Sequence, residues 1–77
     1  MKKVFVAVSA EFTTDGQVMP RSFTWEDGMH YEIDRILDIR PGSSLKVGGL
    51  GLRYTCIISG KQAYMYLDEL KWFMEGK

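Results

Sequence analysis

A β-hairpin pattern lies in residues 52–67, Leu52-Arg53-Tyr54-Thr55-Cys56-Ile57-Ile58-Ser59-Gly60-Lys61-Gln62-Ala63-Tyr64-Met65-Tyr66-Leu67. Two alternating segments, residues 52–59 and 63–67, flank a Ser-Gly pair, which is a local signal for a tight hairpin turn. Both faces of the first segment are rather apolar, which favours a central strand. The pattern therefore predicts two antiparallel strands in this half of the chain.

Two further glycine turns lie upstream, at Asp15-Gly16 and Glu26-Asp27-Gly28. They separate three segments rich in strand-forming residues, which cover residues 3–12, 18–25 and 29–40. Pro20 cannot donate a hydrogen bond to a ladder, so the second predicted strand lies at a sheet edge or is bulged there. The third loses its alternation near residues 34–36, which predicts a bulge.

The remaining segments are a long loop and an ambiguous tail. Residues 41–51 contain four glycines, two serines and one lysine without periodicity, which predicts a loop. In the tail, Leu67, Leu70, Phe73 and Met74 fit a helical stripe. Residues 68–71 fit equally well a tight turn into a last short strand over residues 72–75, which we favour.

These elements predict one mainly β domain over residues 1–77. Five or six short antiparallel strands can bury a core by curling into an SH3-like barrel or a related roll, with a short C-terminal helical turn as the alternative for the tail. The chain is 45% hydrophobic, as in a packed globular protein. At this length folding buries only roughly 60% of the surface of the unfolded chain, so we expect modest stability.

Charge and cysteine content limit the functional classes. Ten basic residues balance ten acidic ones, so no global field attracts nucleic acid or an anionic membrane. Cys56 is the only cysteine, which excludes an internal disulfide and a cysteine-rich zinc site. Residues 2–10 imitate a secretion signal, but their apolar run is short and reads as a strand. We expect a cytoplasmic protein without membrane attachment.

Several segments together resemble a group of short uncharacterised bacterial proteins, over nearly the whole chain. The segments that carry the resemblance are Trp25-Glu26-Asp27-Gly28, Tyr31-Glu32-Ile33-Asp34-Arg35-Ile36-Leu37-Asp38-Ile39-Arg40, Gly48-Gly49-Leu50-Gly51-Leu52-Arg53-Tyr54-Thr55 and Trp72-Phe73-Met74-Glu75. The resemblance implies a bacterial cytoplasmic protein. It implies no catalytic or binding residue.

The glycine-rich loop is a candidate anion site. Its backbone amides near Gly48 and Gly49 can cradle an anion, and neighbouring cations would supply charge. The candidate binding residues are Arg35, Arg40, Lys46, Gly48, Gly49 and Arg53. The loop matches neither the phosphate-loop pattern nor the dinucleotide fingerprint, and a strand connector that needs glycines explains it more simply.

Two constellations suggest chemistry. His30, Glu32 and Asp34 share one strand face at a spacing that suits a metal ion, although a solvated polar face gives the same pattern. Cys56 with His30 resembles a nucleophile and base, but a cysteine inside a central strand is usually a buried small hydrophobe. We therefore expect no catalytic site, no metal and no cofactor.

Binding is the favoured functional class. We expect a protein partner or self-association first, through the Pro20 strand or the final hairpin, with Trp25, Trp72 and Phe73 as interface anchors. The alternative is a nucleic-acid-binding small barrel that stacks bases on exposed rings between cations. Its rings would be Tyr31, Tyr54, Tyr64, Tyr66, Trp25 and Trp72, and its cations Arg21, Arg35, Arg40, Lys46, Arg53 and Lys61. Anion or small-ligand binding ranks third.

Overall fold

The computed structural model describes residues 2–42 and 51–76, which form eight β-strands and no helix. The strands are β1 (Lys2–Phe5), β2 (Ala7–Phe12), β3 (Val18–Thr24), β4 (His30–Glu32), β5 (Arg35–Pro41), β6 (Leu52–Ile58), β7 (Lys61–Asp68) and β8 (Lys71–Gly76). The predicted all-β fold is confirmed for these residues. The helical alternative for the tail is wrong, because a turn leads into β8 as we favoured.

Two antiparallel sheets contain these strands. The larger, sheet A, has the order β1-β8-β7-β6-β5, and the smaller, sheet B, has the order β2-β3-β4. The central position predicted for residues 52–59 is confirmed, because β6 pairs with β5 on one side and β7 on the other. The chain thus begins in sheet A, makes sheet B and returns to complete sheet A.

The chain changes sheet at two corners, around Val6 and around residues 33–34. The Ile33 amide donates to a carbonyl of β3 at 2.9 Å, whereas the next amide, that of Asp34, donates to a carbonyl of β6 at 2.8 Å. At the first corner the Val6 amide donates to the Trp72 carbonyl at 3.1 Å. These corners split two long predicted strands in half, which is why eight strands form where five or six were expected.

The sheets do not close into a barrel within the described residues. β2 and β4 end the strand order of sheet B, and β1 and β5 end that of sheet A. The barrel form of the predicted fold is therefore wrong, and an SH3-like arrangement is not supported. The two sheets, joined by the two corners, instead pack over a shared core.

Both predicted irregularities take a specific form. The β2–β3 register passes from Ser9 opposite Ser22 to Ala10 opposite Pro20, so the extra residue is next to the proline. The bulge predicted at Pro20 is confirmed, and the alternative of an edge strand is wrong, because β3 is paired on both sides as the middle strand of sheet B. The Pro20 strand therefore offers no free edge to a partner. The bulge predicted near residues 34–36 lies slightly later, at Leu37, because the lost alternation also reflects the corner before β5.

The core lies between the sheets. Inward side chains of both sheets form one buried apolar cluster, made of Val4, Val6, Phe23, Tyr54, Cys56, Ile58, Met65 and Met74. Cys56 and Met65 are wholly inaccessible to solvent. Because they lie on the neighbouring strands β6 and β7, this hairpin supplies the most deeply buried side chains of the core.

Tyr54 ties the two sheets together. Its ring is buried, and its hydroxyl donates a hydrogen bond of 2.6 Å to the carbonyl of Val18, at the start of β3. Burial raises the pKa of this phenol above its usual value, with a further contribution from Cys56, so the neutral donor form is favoured. The bond satisfies a polar atom that would otherwise be costly to bury.

Gly51 occupies a position that no other residue fits. Its φ of +142° lies in a region that side chains rarely adopt, and an added Cβ would overlap the carbonyl oxygen of Leu67. Gly42 lies across the same end of the sheet, where its amide donates to the Gly51 carbonyl at 2.8 Å. An added Cβ at Gly42 meets only ordinary contact with Arg53, at 3.9 Å.

We predict that Gly51→Ala lowers the free energy of unfolding by about 3 kcal/mol or more, because it adds steric overlap with β7 to an unfavourable backbone conformation. The matched variant Gly42→Ala should stay within about 1 kcal/mol of the parent. Urea unfolding followed by tryptophan fluorescence measures both. Equal urea midpoints of unfolding for the two variants would contradict the backbone conformation of Gly51 and its close approach to Leu67.

We predict that Tyr54→Phe destabilises the protein by about 1–2 kcal/mol, because it leaves the Val18 carbonyl without its buried donor while the ring is kept. Tyr64→Phe, which removes the hydroxyl of an exposed ring, is the control and should change stability by less than about 0.5 kcal/mol. If the two substitutions cost the same, the hydroxyl of Tyr54 does not join the sheets.

Candidate functional site

The outer edge of β2 is one of four strand edges without a partner in the described fold, and it is the one that borders two apolar depressions. β2 pairs with β3 on one side, and no described strand pairs with its other side. At one end the Val6 amide points toward β8, and at the other the Thr13 amide points into the turn toward β3. Because backbone groups alternate along a strand, the even-numbered positions face the open side. These positions are Val8, Ala10 and Phe12.

An apolar groove runs along this open edge, between β2 and the turn that joins β7 to β8. It consists of two adjoining depressions of about 610 and 300 Å³, which share Val8, Leu70 and Trp72. The first is also lined by Phe5, Val6, Ala7 and Lys71, and the second by Ala10, Phe12, Val18, Leu67 and Glu69. We call this feature the β2 edge groove.

Large apolar side chains around the β2 edge groove are unusually exposed. Leu70 is 91% exposed, Phe12 74% and Phe5 58%. Trp72 is half-buried, with its ring centroid 5.2 Å from that of Tyr54. Clustered exposed apolar groups beside a free edge are typical of interaction sites.

β2 has few of the devices that protect an edge strand, although its ladder with β3 contains the bulge beside Pro20. It contains no lysine and no proline, and its one charged residue, Glu11, is held in an ion pair with Arg21. The remaining side chains are small or apolar. Natural edge strands usually discourage pairing with inward charges, proline or bulges, so this edge is open to another strand.

A second surface, the basic–aromatic face, lies on the outward side of sheet A. There the Lys3 ammonium lies 4.6 Å from the Phe73 ring centroid and 5.9 Å from that of Phe5, and the Arg53 guanidinium lies 4.9 Å from that of Tyr64. Tyr64 is 39% exposed. Of the rings beside these cations, that of Tyr64 keeps substantial exposure, whereas Phe73 is buried. A partly exposed ring next to a cation can contact a flat, anionic ligand.

The structure brings together some of the predicted binding residues. Arg40 and Arg53 are cross-strand partners, and the Nε of Arg40 lies 3.5 Å from an Asp38 carboxylate oxygen. Arg35 lies opposite Ile57, near the other end of β5. Lys46, Gly48 and Gly49 lie outside the described residues, so the predicted anion site stays a prediction.

The predicted interface residues have three different environments. Trp72 lines both parts of the β2 edge groove. Trp25 is half-buried at a hairpin end, where its side chain packs against the core. Phe73 is only 1% exposed, since Phe5 meets it edge-on at 6.1 Å and Tyr66 stacks on it at 5.0 Å.

Sequence reasoning missed the exposed partners of Trp72. Alternation placed Phe12 on the same face as Val8 and Ala10, and all three line the groove, but it predicted a buried side chain, whereas Phe12 is mostly exposed. Leu70 stands in a tight turn, where an apolar side chain is unexpected. That mismatch was the available signal for the groove.

The polar side chains of His30, Glu32 and Asp34, on and just after β4, do not meet at one point. A His30 ring nitrogen lies 3.5 Å from the Thr24 hydroxyl, while Asp34 accepts a hydrogen bond of 3.2 Å from the Gly60 amide. No group of three or more histidine, cysteine, aspartate or glutamate side chains in the described ranges is placed to hold a metal ion.

Cys56 has the environment of a core residue. It is fully buried, and its Sγ lies 3.8 Å from the carbonyl oxygen of Tyr54. Burial raises the pKa of this thiol to about 11. The thiol therefore stays protonated at neutral pH, which disfavours nucleophilic attack.

Comparisons with protein-family models, with curated proteins and with solved structures found no match for this chain. The described part of the chain contains no helix long and apolar enough to cross a membrane. The described surface offers two candidate binding regions, the β2 edge groove and the basic–aromatic face.

Proposed function

We propose that this protein is a non-enzymatic binding module that accepts an extended segment of a protein partner as an additional strand beside β2. The observation that supports this most directly is the combination of a six-residue strand edge without a described partner and an apolar groove along the same edge. The single, buried, free cysteine favours a reducing compartment such as a bacterial cytoplasm.

Strand addition uses both parts of this surface. Backbone amides and carbonyls at Val8, Ala10 and Phe12 supply hydrogen bonds that do not depend on the partner's sequence. The groove supplies the selectivity, because alternate side chains of an added strand point toward Leu70 and Trp72. A half-buried tryptophan is a favourable anchor, since its large ring gains contact area at a small cost in conformational entropy.

We predict that a soluble peptide of alternating valine and threonine, with a lysine at each end, binds at the β2 edge groove. Amide chemical shifts should change at Val8, Ala10 and Phe12, together with the indole signal of Trp72. Ala10→Lys should weaken binding about tenfold or more, because it places a charge among apolar contacts.

The control is Ser9→Lys, which adds the same charge at the adjacent, outward position of β2. It should bind the peptide within about threefold of the parent, a difference below about 1 kcal/mol. Equal weakening by both lysines, or shifts confined to other strands, would contradict strand addition at this edge.

Single-stranded nucleic acid is the second candidate ligand, and one observation favours it. The Arg53 guanidinium lies over Tyr64, which keeps a substantially exposed ring, and the Nε of Arg53 is buried without a hydrogen-bond partner in the described structure. Such a pair can stack a base while the cation meets a phosphate. The balanced net charge makes this the weaker proposal.

If that candidate is right, Tyr64→Ala should weaken binding of a twelve-nucleotide thymidine oligomer by about 1–3 kcal/mol at low salt, through the lost stacking. Arg53→Gln should make the slope of the logarithm of the binding constant against the logarithm of the salt concentration shallower by about one, because one cation–phosphate contact is lost. Leu70→Ala, in the β2 edge groove, is the control and should leave the affinity unchanged. Absence of any oligomer-induced shift at low salt would exclude this surface as a nucleic-acid site.

A further inference from the structure

We infer that the strand taken up beside β2 is the β2 strand of a second copy of this chain, related to the first by a two-fold axis through Ala10. This inference rests on the proposed strand addition and adds to it the partner and the register. The resulting sheet would run continuously through both copies, with the two β2 strands antiparallel at its centre.

The backbone determines this register. Only even-numbered positions of β2 present their backbone groups to the open side, so an antiparallel pair must match even positions with even positions. An axis at Ala10 pairs this residue with the partner's Ala10, and Val8 with the partner's Phe12. All three outward amides and all three outward carbonyls of each β2 then find partners.

Neighbouring registers leave groups unpaired. An axis at Ser9 would set Phe12 opposite the partner's Val6, whose amide already donates to Trp72. An axis at Glu11 would set Val8 beyond the end of the partner's β2. Since an unpaired buried amide or carbonyl is costly, the register centred on Ala10 is favoured.

The side chains agree with the backbone. Residues directly opposite in an antiparallel pair share a face, so Val8, Ala10 and Phe12 of both copies form one apolar row above the β2 edge groove. This row covers Phe12, which is otherwise mostly exposed. On the other face Glu11 lies opposite the partner's Ser9, so no like charges stand directly opposite each other.

Long-range charge does not oppose the pairing. The chain carries equal numbers of acidic and basic residues, and Glu11 is already paired with Arg21 of its own chain. Two copies therefore approach without net repulsion. A hetero-partner would need its own complementary edge, whereas a second copy supplies one by symmetry.

Cysteine cross-linking tests the register. In a hydrogen-bonded antiparallel pair the Cα atoms at the axis lie about 5.5 Å apart, within the range that a disulfide spans. Ala10→Cys should therefore form a covalent dimer readily under mild oxidation. Ser9→Cys is the control, because its two copies are offset along the strands beyond disulfide reach, and it should cross-link at least about tenfold more slowly.

Sedimentation of the parent protein provides the second measurement. The parent should have the mass of a dimer, and Ala10→Lys the mass of a monomer, with circular dichroism showing that both are folded. Equal cross-linking of the two cysteine variants, or a parent that is monomeric at millimolar concentration, would overturn the inference. In a dimeric parent the second copy occupies the β2 edge, so the valine–threonine peptide competes with it and should bind more weakly as the protein concentration rises. A monomeric parent that still binds the peptide at β2 would leave the proposed function standing, whereas a monomeric parent that does not bind it would overturn the two together.

Discussion

The hydrogen bond from Tyr54 to the Val18 carbonyl is the constraint on which the two-sheet arrangement depends. It joins β6, an interior strand of the larger sheet, to the start of β3, the middle strand of the smaller one, at a part-buried position beside a core that a chain of this size can only just fill. The phenol must be neutral and correctly aimed, and burial favours that neutral form. With β6 and β3 held together in this way, the corners at Val6 and residues 33–34 determine where the outer strands lie.

Those corners also create the candidate site. β1 pairs with β8 and the next strand, β2, pairs with β3, because the chain turns away from sheet A at Val6. The other side of β2 has no partner among the described strands. The open edge and the groove beside it thus follow from the same change of sheet that builds the core, and the exposed Phe12 and Leu70 both line that groove.

The sequence predicted what depends on near neighbours in the chain. Turns at Gly16, Gly28 and Gly60, the central place of β6 and the short last strand follow from local turn chemistry and period-two alternation. The corner at Val6 could not be predicted, because Val6 continues the apolar alternation. The corner at residues 33–34 left a local signal in the lost alternation, but that signal does not distinguish a bulge from a change of sheet. The site shows the same limit: Trp72 was identified by its size, whereas the exposure of Phe12 depends on where the opposite sheet ends.

The two candidate surfaces do not compete for the same space. A strand added beside β2 extends sheet B, whereas Tyr64 and Arg53 lie on the outward face of sheet A and do not line the groove. Phe5 is the one residue common to both surfaces, since it lines the groove and packs against Phe73. A dimer formed through β2 would therefore present two copies of the basic–aromatic face, and any weak affinity there would gain from the second copy on a ligand long enough to reach both.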